Sequence, residues 1–444
     1  MTDQINPSAV TSSGPTDWKS DAMQARIGRR YRRERIFRSM GLAAVFLSVL
    51  FLLFLLGNIV KNGAYGFMQT SVSIDVTFDA NLLGEPSQLS SEEFTEKIRK
   101  TNMLRLIQAS MRDLFPEVKG RRDSRALLRL VSTGARAQLR EMVLADPSLV
   151  GTTKRVKLLT SDDIDQVIKG NIDITLPEAN RKVKDKELSW LKTLQDDDRI
   201  SLDFHSQFLT GGDSREPELA GVWGAIVGSA LTLLVTLLTA FPIGLFAAVY
   251  LEEFAPKNRF TDIIEININN LAAVPSIVFG LLGLAVFLSV MGMPRSAPIV
   301  GGLTLALLTL PTVIIASRAS IAAVPPSIRD AARGLGASPM QVVFHHVIPL
   351  AMPGIMTGTI IGMARALGES APLLMIGMVA FIVDIPGSIN DAATVLPVQI
   401  YLWADSPERA FVEKTSAAIM VLLFFLIAMN GVAIWLRQKF EQKW

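Results

Sequence analysis

The chain has 444 residues and a formal net charge of +3, and half of its residues are hydrophobic. Its mean hydropathy is +0.36. Cysteine is absent, which excludes disulfides, thiolate metal sites and thiol catalysis, and so small a net charge does not favour nucleic-acid binding. The charged residues are unevenly divided, with 61 in residues 1–222 and 24 in residues 223–444. A single soluble core is therefore excluded, because the long apolar runs of the second half are typical of membrane spans.

Charge-free stretches predict six membrane-spanning helices. About 20 helical residues, rising about 1.5 Å each, cross a hydrocarbon core of about 30 Å. The predicted spans are residues 40–60, 223–251, 267–290, 298–317, 348–368 and 415–436. The apolar segment Ala371–Val383 is predicted to fold back along the outer face, because two full spans there would place the C-terminus outside.

A basic cluster before the first span predicts a cytoplasmic N-terminus. Its members are Arg26, Arg29, Arg30, Arg32, Arg33, Arg35 and Arg38. A nucleic-acid-binding arm is the alternative for this cluster. A cleaved signal peptide is not favoured, because the apolar run is too long and no A-x-A site follows it. Basic residues also follow the last span, at Arg437, Lys439 and Lys443. Six spans keep both termini in the cytoplasm.

These boundaries predict five regions. They are a cytoplasmic basic arm (1–39), a transmembrane anchor (40–60), an extracytoplasmic soluble domain (61–218), a transmembrane core (219–436) and a cytoplasmic tail (437–444).

The extracytoplasmic domain is predicted to be α+β. The predicted strands are Val72–Phe78, Arg155–Leu159 and Ile172–Leu176, and the predicted helices are Phe94–Leu114, after a capping box at Ser90 and Glu93, and Ser124–Leu144. The Lys-rich run Arg181–Lys192 is interpreted as a solvated face. His205 is the only histidine in the domain, so a metal site or catalytic triad is not expected, and the residue is interpreted as a surface or satisfied histidine.

The inward link between the fourth and fifth spans, residues 318–347, predicts two short helices joined by a sharp turn. Ser327, with Asp330 three residues later, is predicted to cap the first helix. That helix is predicted to end at Gly334–Gly336, where glycine accepts a left-handed turn. Ser338, followed by proline and then by glutamine at the third helical position, is predicted to cap the second helix.

This loop resembles the cytoplasmic EAA loop of ABC importer permeases, E-A-A-x-x-x-G followed by I-x-L-P. The matching residues, in order, are Asp330, Ala331, Ala332, Gly336 and Pro349, with Asp in place of Glu. In that family the loop is a coupling helix that sits in a groove of the ATPase subunit, and the two small alanines would let another protein approach closely. An ordinary helical hairpin at a membrane surface is the alternative.

Two further segments resemble the PstA family of permease subunits of the phosphate-specific ABC importer. Residues 270–284 read N-L-A-A-V-P-S-I-V-F-G-L-L-G-L, and residues 365–374 read R-A-L-G-E-S-A-P-L-L. The resemblance covers about residues 219–436. It implies an α-helical polytopic protein of the bacterial inner membrane, with a type I ABC importer permease core of five spans and transport of inorganic phosphate. The anchor and outer domain resemble an extension of unknown function found on some members.

Five residues are candidates for the substrate path. Arg365 and Glu369, four apart, face the same side of a helix, and ionisable groups at membrane depth indicate function. Counted from Pro349, Arg365 lies about 24 Å along the helix, past the membrane midplane. The planar guanidinium of Arg365 carries several N–H donors that suit phosphate oxygens. The alternative is a structural ion pair between Arg365 and Glu369. Pro275 is predicted to open the third span, with Ser276 and Asn270 satisfying the freed carbonyls or facing the path.

Five glycines are predicted to pack helices closely, with a lining role as the alternative. They are Gly280, Gly283, Gly354, Gly358 and Gly362.

The chain has no Walker A motif, so no cofactor is expected in the chain itself. The resemblance implies a second permease (PstC-like), an ATPase dimer (PstB-like) that binds ATP and Mg, and a periplasmic phosphate-binding protein (PstS-like). Two alternatives are a permease for another oxyanion, such as phosphonate, sulfate or molybdate, and a membrane-anchored phosphate-signalling sensor. An enzyme is not favoured, because no nucleophile–base set is present.

Overall fold

The computed structural model describes residues 21–85, 90–379 and 381–440. The chain forms two compact units, Met1–Ile59 and Val60–Trp444. Helix α1 (Asp21–Gly66) begins in the first unit and ends in the second. Its most apolar stretch has a mean hydropathy of 2.6 and buries none of its residues, as expected for a helix surrounded by lipid. The parts of the predicted arm and tail at residues 1–20 and 441–444, including Lys443, lie outside the described residues.

A three-stranded antiparallel sheet is the centre of the soluble domain. Strand β1 (Met68–Thr77) lies between β2 (Thr153–Leu159) and β3 (Ile200–Phe204). Ile74 of β1 is paired with Val156 of β2. The alternation of apolar and polar residues buries Val72, Ile74 and Val76 on one face. The two strands predicted from alternation at 72–78 and 155–159 are confirmed.

Short helices cover the buried face of this sheet. They are α2 (Ala80–Leu83), α3 (Ser91–Lys100), α4 (Leu104–Leu114), α5 (Arg121–Leu128), α6 (Ala135–Ala145), α7 (Asp162–Ile168) and α8 (Asp185–Asp196), whereas α9 (Ser206–Thr210) packs with Val222 and Trp403 instead. Their apolar faces enclose a core that includes Phe78, Ile98, Met111 and Trp190. The domain is therefore α+β, and we call it the α+β domain below.

The predicted third strand is wrong. Residues 172–176 turn instead, because the Asp173 carboxylate accepts hydrogen bonds from both the backbone N–H and the hydroxyl of Thr175. Asparagine and aspartate side chains that bond to nearby backbone compete with strand pairing. The third strand is β3, Ile200–Phe204, which the sequence analysis did not identify.

The two long helices predicted in this domain are each broken, although the capping box at Ser90 and Glu93 is confirmed. Asn102 accepts a hydrogen bond from the Leu104 N–H and starts a new helix, α4. The second break lies between α5 and α6, where Val131 bridges to Thr160 of the sheet region.

The Lys-rich run at 181–192 is not simply a solvated face, because α8 begins within it. Helix α8 buries Trp190, Leu191 and Leu194 against the domain core and keeps lysines on its other side. Helix α8 is therefore amphipathic, with one apolar face packed on the domain core and the opposite, charged face exposed.

The second half of the chain consists of long apolar helices joined by shorter ones. They are α10 (Trp223–Val249), α11 (Arg259–Ala272), α12 (Ser276–Gly283), α13 (Pro298–Ala322), α14 (Pro326–Gly334), α15 (Pro339–Val342), α16 (Ile348–Gly368), α17 (Ala371–Met375), α18 (Leu396–Ala404) and α19 (Ala410–Phe440). Single π-helical turns extend α10, α12 and α15, at Tyr250–Phe254, Leu284–Val290 and Val343–Val347.

Five helices of the described chain are long and apolar enough to cross a membrane, and a bent pair raises the number to at most six. The bent pair is the predicted third span. Its helices, Arg259–Ala272 and Ser276–Val290, meet at an angle of 102°. The third span is therefore broken, and the break falls at Pro275, where the sequence predicts that proline opens the helix by removing a backbone donor. The protein is a multi-pass α-helical membrane protein.

Small residues bring α16 against α13. A side chain at Gly354 would collide with Ser320, one at Gly358 with Ala316, and one at Gly362 with Thr309. Gly280 and Gly283 are equally enclosed, against Pro372 and Thr304 respectively. The packing interpretation of all five glycines is confirmed.

Helix α16, the predicted fifth span, ends at Gly368 as predicted, and the chain then turns back. Pro372, Leu373, Ile376 and Met378 of the following segment are buried. This segment packs on α12, because Gly280 closely approaches Pro372 and Met375. Farther along, the Val383 carbonyl lies against Gly212, just before α10.

Candidate functional site

The loop between α13 and α16 is a rigid pair of short helices. Helix α14 ends at Gly334, and Gly336 has φ of +88°, a left-handed conformation that glycine adopts without strain. The N–H of Gly336 donates to the Arg333 carbonyl at 2.9 Å, and that of Ala337 donates to the Ala332 carbonyl at 3.1 Å. These bonds satisfy carbonyls left free at the helix end. The predicted turn is confirmed.

The second cap of this loop is confirmed and the first is wrong. Ser338 accepts from the Gln341 N–H, and the Gln341 side chain accepts from the Ser338 N–H, which completes a capping box. At the first helix, Pro325 is the N-cap and no side chain caps the backbone. Proline fixes its own φ, so the helix starts one residue before Ser327 and leaves that serine inside the first turn.

The four residues that match the E-A-A-x-x-x-G part of the motif do not share one environment. Asp330, Ala331 and Gly336 are exposed, whereas Ala332 is buried against Ile321, Val324 and other residues of the chain's own core. Asp330 makes only a loose ion pair with Arg333, at 3.7 Å. Asp330, Ala331 and Gly336 are therefore accessible to a partner, while Ala332 holds the loop on the helix bundle.

A buried ion pair that the motif does not include fixes this loop to α10. The Arg329 guanidinium donates to Glu253 in the π-helical turn after α10, at 2.6 and 3.1 Å. It also donates to the carbonyls of Ile321 and Val324 at the end of α13. The side chains of Arg329 and Glu253 are 15% and 9% exposed. Sequence reasoning missed this pair, although Arg329 is visible in the sequence two residues before Ala331.

A second ion pair ties the same region to α11. Arg318 of α13 donates to Glu265 of α11 at 2.6 Å and lies 3.4 Å from Glu252. Arg329 thus connects the loop to α10 and α13, and Arg318 connects α13 in turn to α11. A displacement of the loop would therefore be transmitted to three helices.

The turn between α14 and α15 exposes a large apolar side chain to solvent. Leu335 is 91% exposed, and Met340 and Phe344, which follow it, are also exposed. Large apolar side chains grouped on a rigid surface are typical of protein-binding sites. The sequence analysis did not identify Leu335.

The proposed path residues lie on two segments. Arg365 and Glu369 form an ion pair at the end of α16, with 3.7 Å between Nε and Oε1. Their side chains are 49% and 21% exposed. That distance is too long for a hydrogen bond, and within the described part of the chain no hydrogen bond engages the Arg365 guanidinium.

The other three candidates lie at the break between α11 and α12. Asn270 and Pro275 are exposed, and Ser276 is partly buried. Neither Asn270 nor Ser276 has a side-chain hydrogen bond to the freed carbonyls or to the Arg365–Glu369 pair in the described structure. The close contact of Gly280 with Pro372 brings this segment beside the residues that follow Glu369.

A buried polar network joins the α+β domain to the first turn of α19. Lys169, at the end of α7, pairs with Asp165 at 2.7 Å and with Glu413 at 3.0 Å. It also donates to the carbonyls of Tyr65 and Met68. The Lys169 side chain is only 1% exposed, so these four oxygen partners replace water.

His205 belongs to this network and is not a surface residue. It is buried, with Nδ1 at 3.0 Å from the Lys414 ammonium. Burial, together with the positive charges of Lys414 and Lys169, lowers the pKa of His205 to about 3. The ring is therefore neutral at physiological pH. Among the described residues, no group of three or more His, Asp or Glu is arranged to hold a metal ion.

Two family models match the chain. A domain of unknown function matches residues 24–178, and the binding-protein-dependent transport system inner membrane component matches residues 240–444. The second match contains the loop and all five path candidates.

Named relatives match about half of the chain. The phosphate transport system permease protein PstA 1 of Mycobacterium tuberculosis is 32% identical over 217 residues, which cover 49% of this chain and 70% of that protein. The PstA protein of Pasteurella multocida is 30% identical over 226 residues, covering 51% of this chain and 78% of that protein. A solved structure of the MetNI methionine ABC transporter aligns with a TM-score of 0.41 and 19% identity, over 50% of this chain and 98% of that one. The chain is an ABC importer permease subunit, and it belongs to the PstA family of phosphate transport system permease proteins.

Proposed function

We propose that this chain is the permease subunit of an ATP-driven importer for inorganic phosphate and forms one half of its translocation path. The observation that carries the proposal is the 32% identity, over 217 residues, with a protein named as a phosphate transport permease. The Arg365 guanidinium, free of any locked hydrogen bond, is the group in this stretch best suited to a phosphate oxygen.

The orientation proposed for the chain places the α+β domain outside the cytoplasm. The arginines of α1 precede its apolar part, and cationic segments remain on the cytoplasmic side. Arg437 and Lys439 at the end of α19 support the same side for the C-terminus. The loop of α14 and α15 then faces the cytoplasm of a bacterial cell, where the protein lies in the inner membrane.

The loop is proposed to couple transport to a separate ATPase. Leu335 stands out from the turn, while Arg329 and Ala332 fix the loop to α10 and to the helix core. ATP and Mg would be bound by the partner ATPase dimer (PstB-like), and this chain would contribute no catalytic residue. Closure of the ATPases would move the loop and switch the opening of the path.

Two further partners complete the proposed importer. A homologous permease (PstC-like) would supply the other half of the path, and a phosphate-binding protein (PstS-like) would deliver the substrate from outside. Arg365 and Glu369 would line the path near its outer end, with Asn270, Pro275 and Ser276 at the helix break beside it. Glu369 would hold the guanidinium when no anion is bound.

The coupling proposal is tested by replacing the exposed apolar side chain with a charge. Leu335→Glu is expected to reduce co-purification of the ATPase at least about ten-fold, because truncating or charging a central contact residue costs about 2 kcal/mol or more. Ile174→Glu is the matched control, since Ile174 is 53% exposed and lies in the α+β domain, outside the loop. Retention of the ATPase by Leu335→Glu, at the level of the control, would contradict the coupling role.

A further inference from the structure

A cleft in the α+β domain, between α5 and the segment leading into α8, carries an excess of positive charge. Its volume is about 880 Å³. Six cationic side chains line it: Arg121, Arg122, Arg125, Arg129, Lys184 and Lys186. Four carboxylates accompany them: Asp123, Glu178, Asp185 and Glu187. The α5 side of the cleft lies within residues 24–178, which match a domain of unknown function, and the α8 side follows that match.

Most of the carboxylates are already neutralised by their neighbours. Glu187 accepts from Arg129 at 2.6 Å, and Asp123 pairs with Lys186 at 3.0 Å. Asp185 pairs with Arg181, which lies outside the cleft. The remaining carboxylate is that of Glu178.

Three arginines of α5 have no such partner. Arg121, Arg122 and Arg125 are exposed, and no ion pair or hydrogen bond engages their side chains within the described structure. They occupy the first five positions of α5, whose N-cap, Gly120, offers no side-chain cap. The helix dipole adds a partial positive charge at the same end.

We propose that this cleft binds a polyphosphate-type anion, a ligand that carries two or more linked phosphate groups. The planar guanidinium of arginine donates paired hydrogen bonds to phosphate oxygens. Three guanidinium groups without partners in the described structure therefore favour a ligand with several phosphate oxygens. The volume lies in the upper part of the range of about 300–1,000 Å³ found for small-molecule sites. A single tetrahedral anion would fill only a small part of it.

The concave shape favours a compact anion over an acidic protein surface. A flat acidic surface would reach the outer arginines, but would leave the interior of the cleft, between α5 and α8, unfilled. The Arg129–Glu187 and Lys186–Asp123 pairs brace the two walls, so the cleft is formed before any ligand arrives. A preformed site costs less ordering on binding.

The test is calorimetric titration of the full-length protein, in detergent and without divalent metal, using sodium tripolyphosphate as the probe. The parent is expected to bind one equivalent at about 150 mM salt, where remote charges are largely screened. The triple variant Arg121→Gln, Arg122→Gln, Arg125→Gln is expected to bind at least about ten-fold more weakly.

A matched control removes the same charge elsewhere in the domain. Arg99, Arg112 and Arg136 are exposed and lie outside the cleft, and their joint replacement by Gln is expected to change the affinity by less than about two-fold. The single variant Arg125→Lys keeps the positive charge and removes the planar guanidinium. It is expected to weaken tripolyphosphate binding, and it disturbs the fold less than the triple variant does.

Three results would overturn the proposal. They are failure of the parent to bind tripolyphosphate, equal losses in the triple variant and its control, and binding of a polyglutamate peptide in place of tripolyphosphate. The assay requires no ATPase and no transport, so these results would leave the proposed permease function standing.

Discussion

Glu218 is a buried carboxyl group between the α+β domain and helix α10. Its Oε1 accepts a hydrogen bond from the Ser132 hydroxyl at 2.6 Å, and Oε2 has no partner in the described structure. Burial is the main cause that raises its pKa from 4.5 to about 7, and the nearby Asp162 and Glu216 act in the same direction. The folded protein therefore holds a proton on Glu218 that the unfolded chain releases between those two pH values.

This proton predicts the pH dependence of stability for one variant. The folded state binds more protons than the unfolded state between pH of about 4.5 and 7, so the contribution of Glu218 to stability falls as the pH rises through this window. Glu218→Gln removes the titration and keeps the shape. We expect the difference in thermal unfolding temperature, variant minus parent, to increase as the pH is raised from 5 to 8. A difference that is constant with pH would show that Glu218 is not protonated in the fold.

Helix α16 depends on glycine for its approach to α13. At Gly358 an added side chain would occupy the space of Ala316, whereas at Gly431 of α19 nothing lies within 4 Å. We expect Gly358→Leu to destabilise the protein by at least about 1–3 kcal/mol, the usual cost of overpacking. Thermal unfolding in detergent would measure this. Gly431→Leu is the control, and an equal loss in both variants would refute the packing role of Gly358.

Elements determined by a few adjacent residues were predicted from the sequence. Elements determined by pairing with residues far away in the chain were missed. The glycine turn at Gly336 and the break at Pro275 follow from backbone chemistry and were predicted. Strand β3 was missed because its place beside β1 is set by pairing, as between Thr70 and Leu202, over a long loop. Two predicted helices proved to be four, because single polar residues such as Asn102 redirect the chain.

The same division holds for the candidate site. The pairing of Arg365 with Glu369 follows from their spacing of four along α16, and the structure places them 3.7 Å apart. The pairing of Arg329 with Glu253 joins residues on separate elements and has no periodic signature. Exposure of Leu335 depends on which side of the turn faces the bundle, and the sequence pattern alone did not indicate it.

At the scale of the whole molecule, Lys169 connects the α+β domain to the transmembrane helices. Its ammonium group lies between Asp165 of α7 and Glu413 of α19. Lys169→Ala would leave both carboxylates buried without their ion-pair partner, a loss that costs about 3–5 kcal/mol in buried pairs. We expect a lower unfolding temperature and faster proteolysis at the junction.

Lys192→Ala is the control for this variant, because Lys192 is an exposed lysine on α8. Surface lysines of this kind contribute about 0–1 kcal/mol. If Lys169→Ala were as stable and as resistant to proteolysis as this control, the network would not be what holds the domain to α19.

The central claim is that this chain moves phosphate through a path that contains Arg365. Its most direct test is ATP-dependent uptake of radiolabelled phosphate in bacterial cells that lack their own copy of the subunit. We expect the parent chain to restore phosphate uptake, and we expect excess sulfate, molybdate or phosphonate not to inhibit that uptake. We expect Arg365→Ala to abolish uptake although the complex still assembles. Normal uptake by Arg365→Ala, or uptake by the parent that another oxyanion suppresses, would contradict the account.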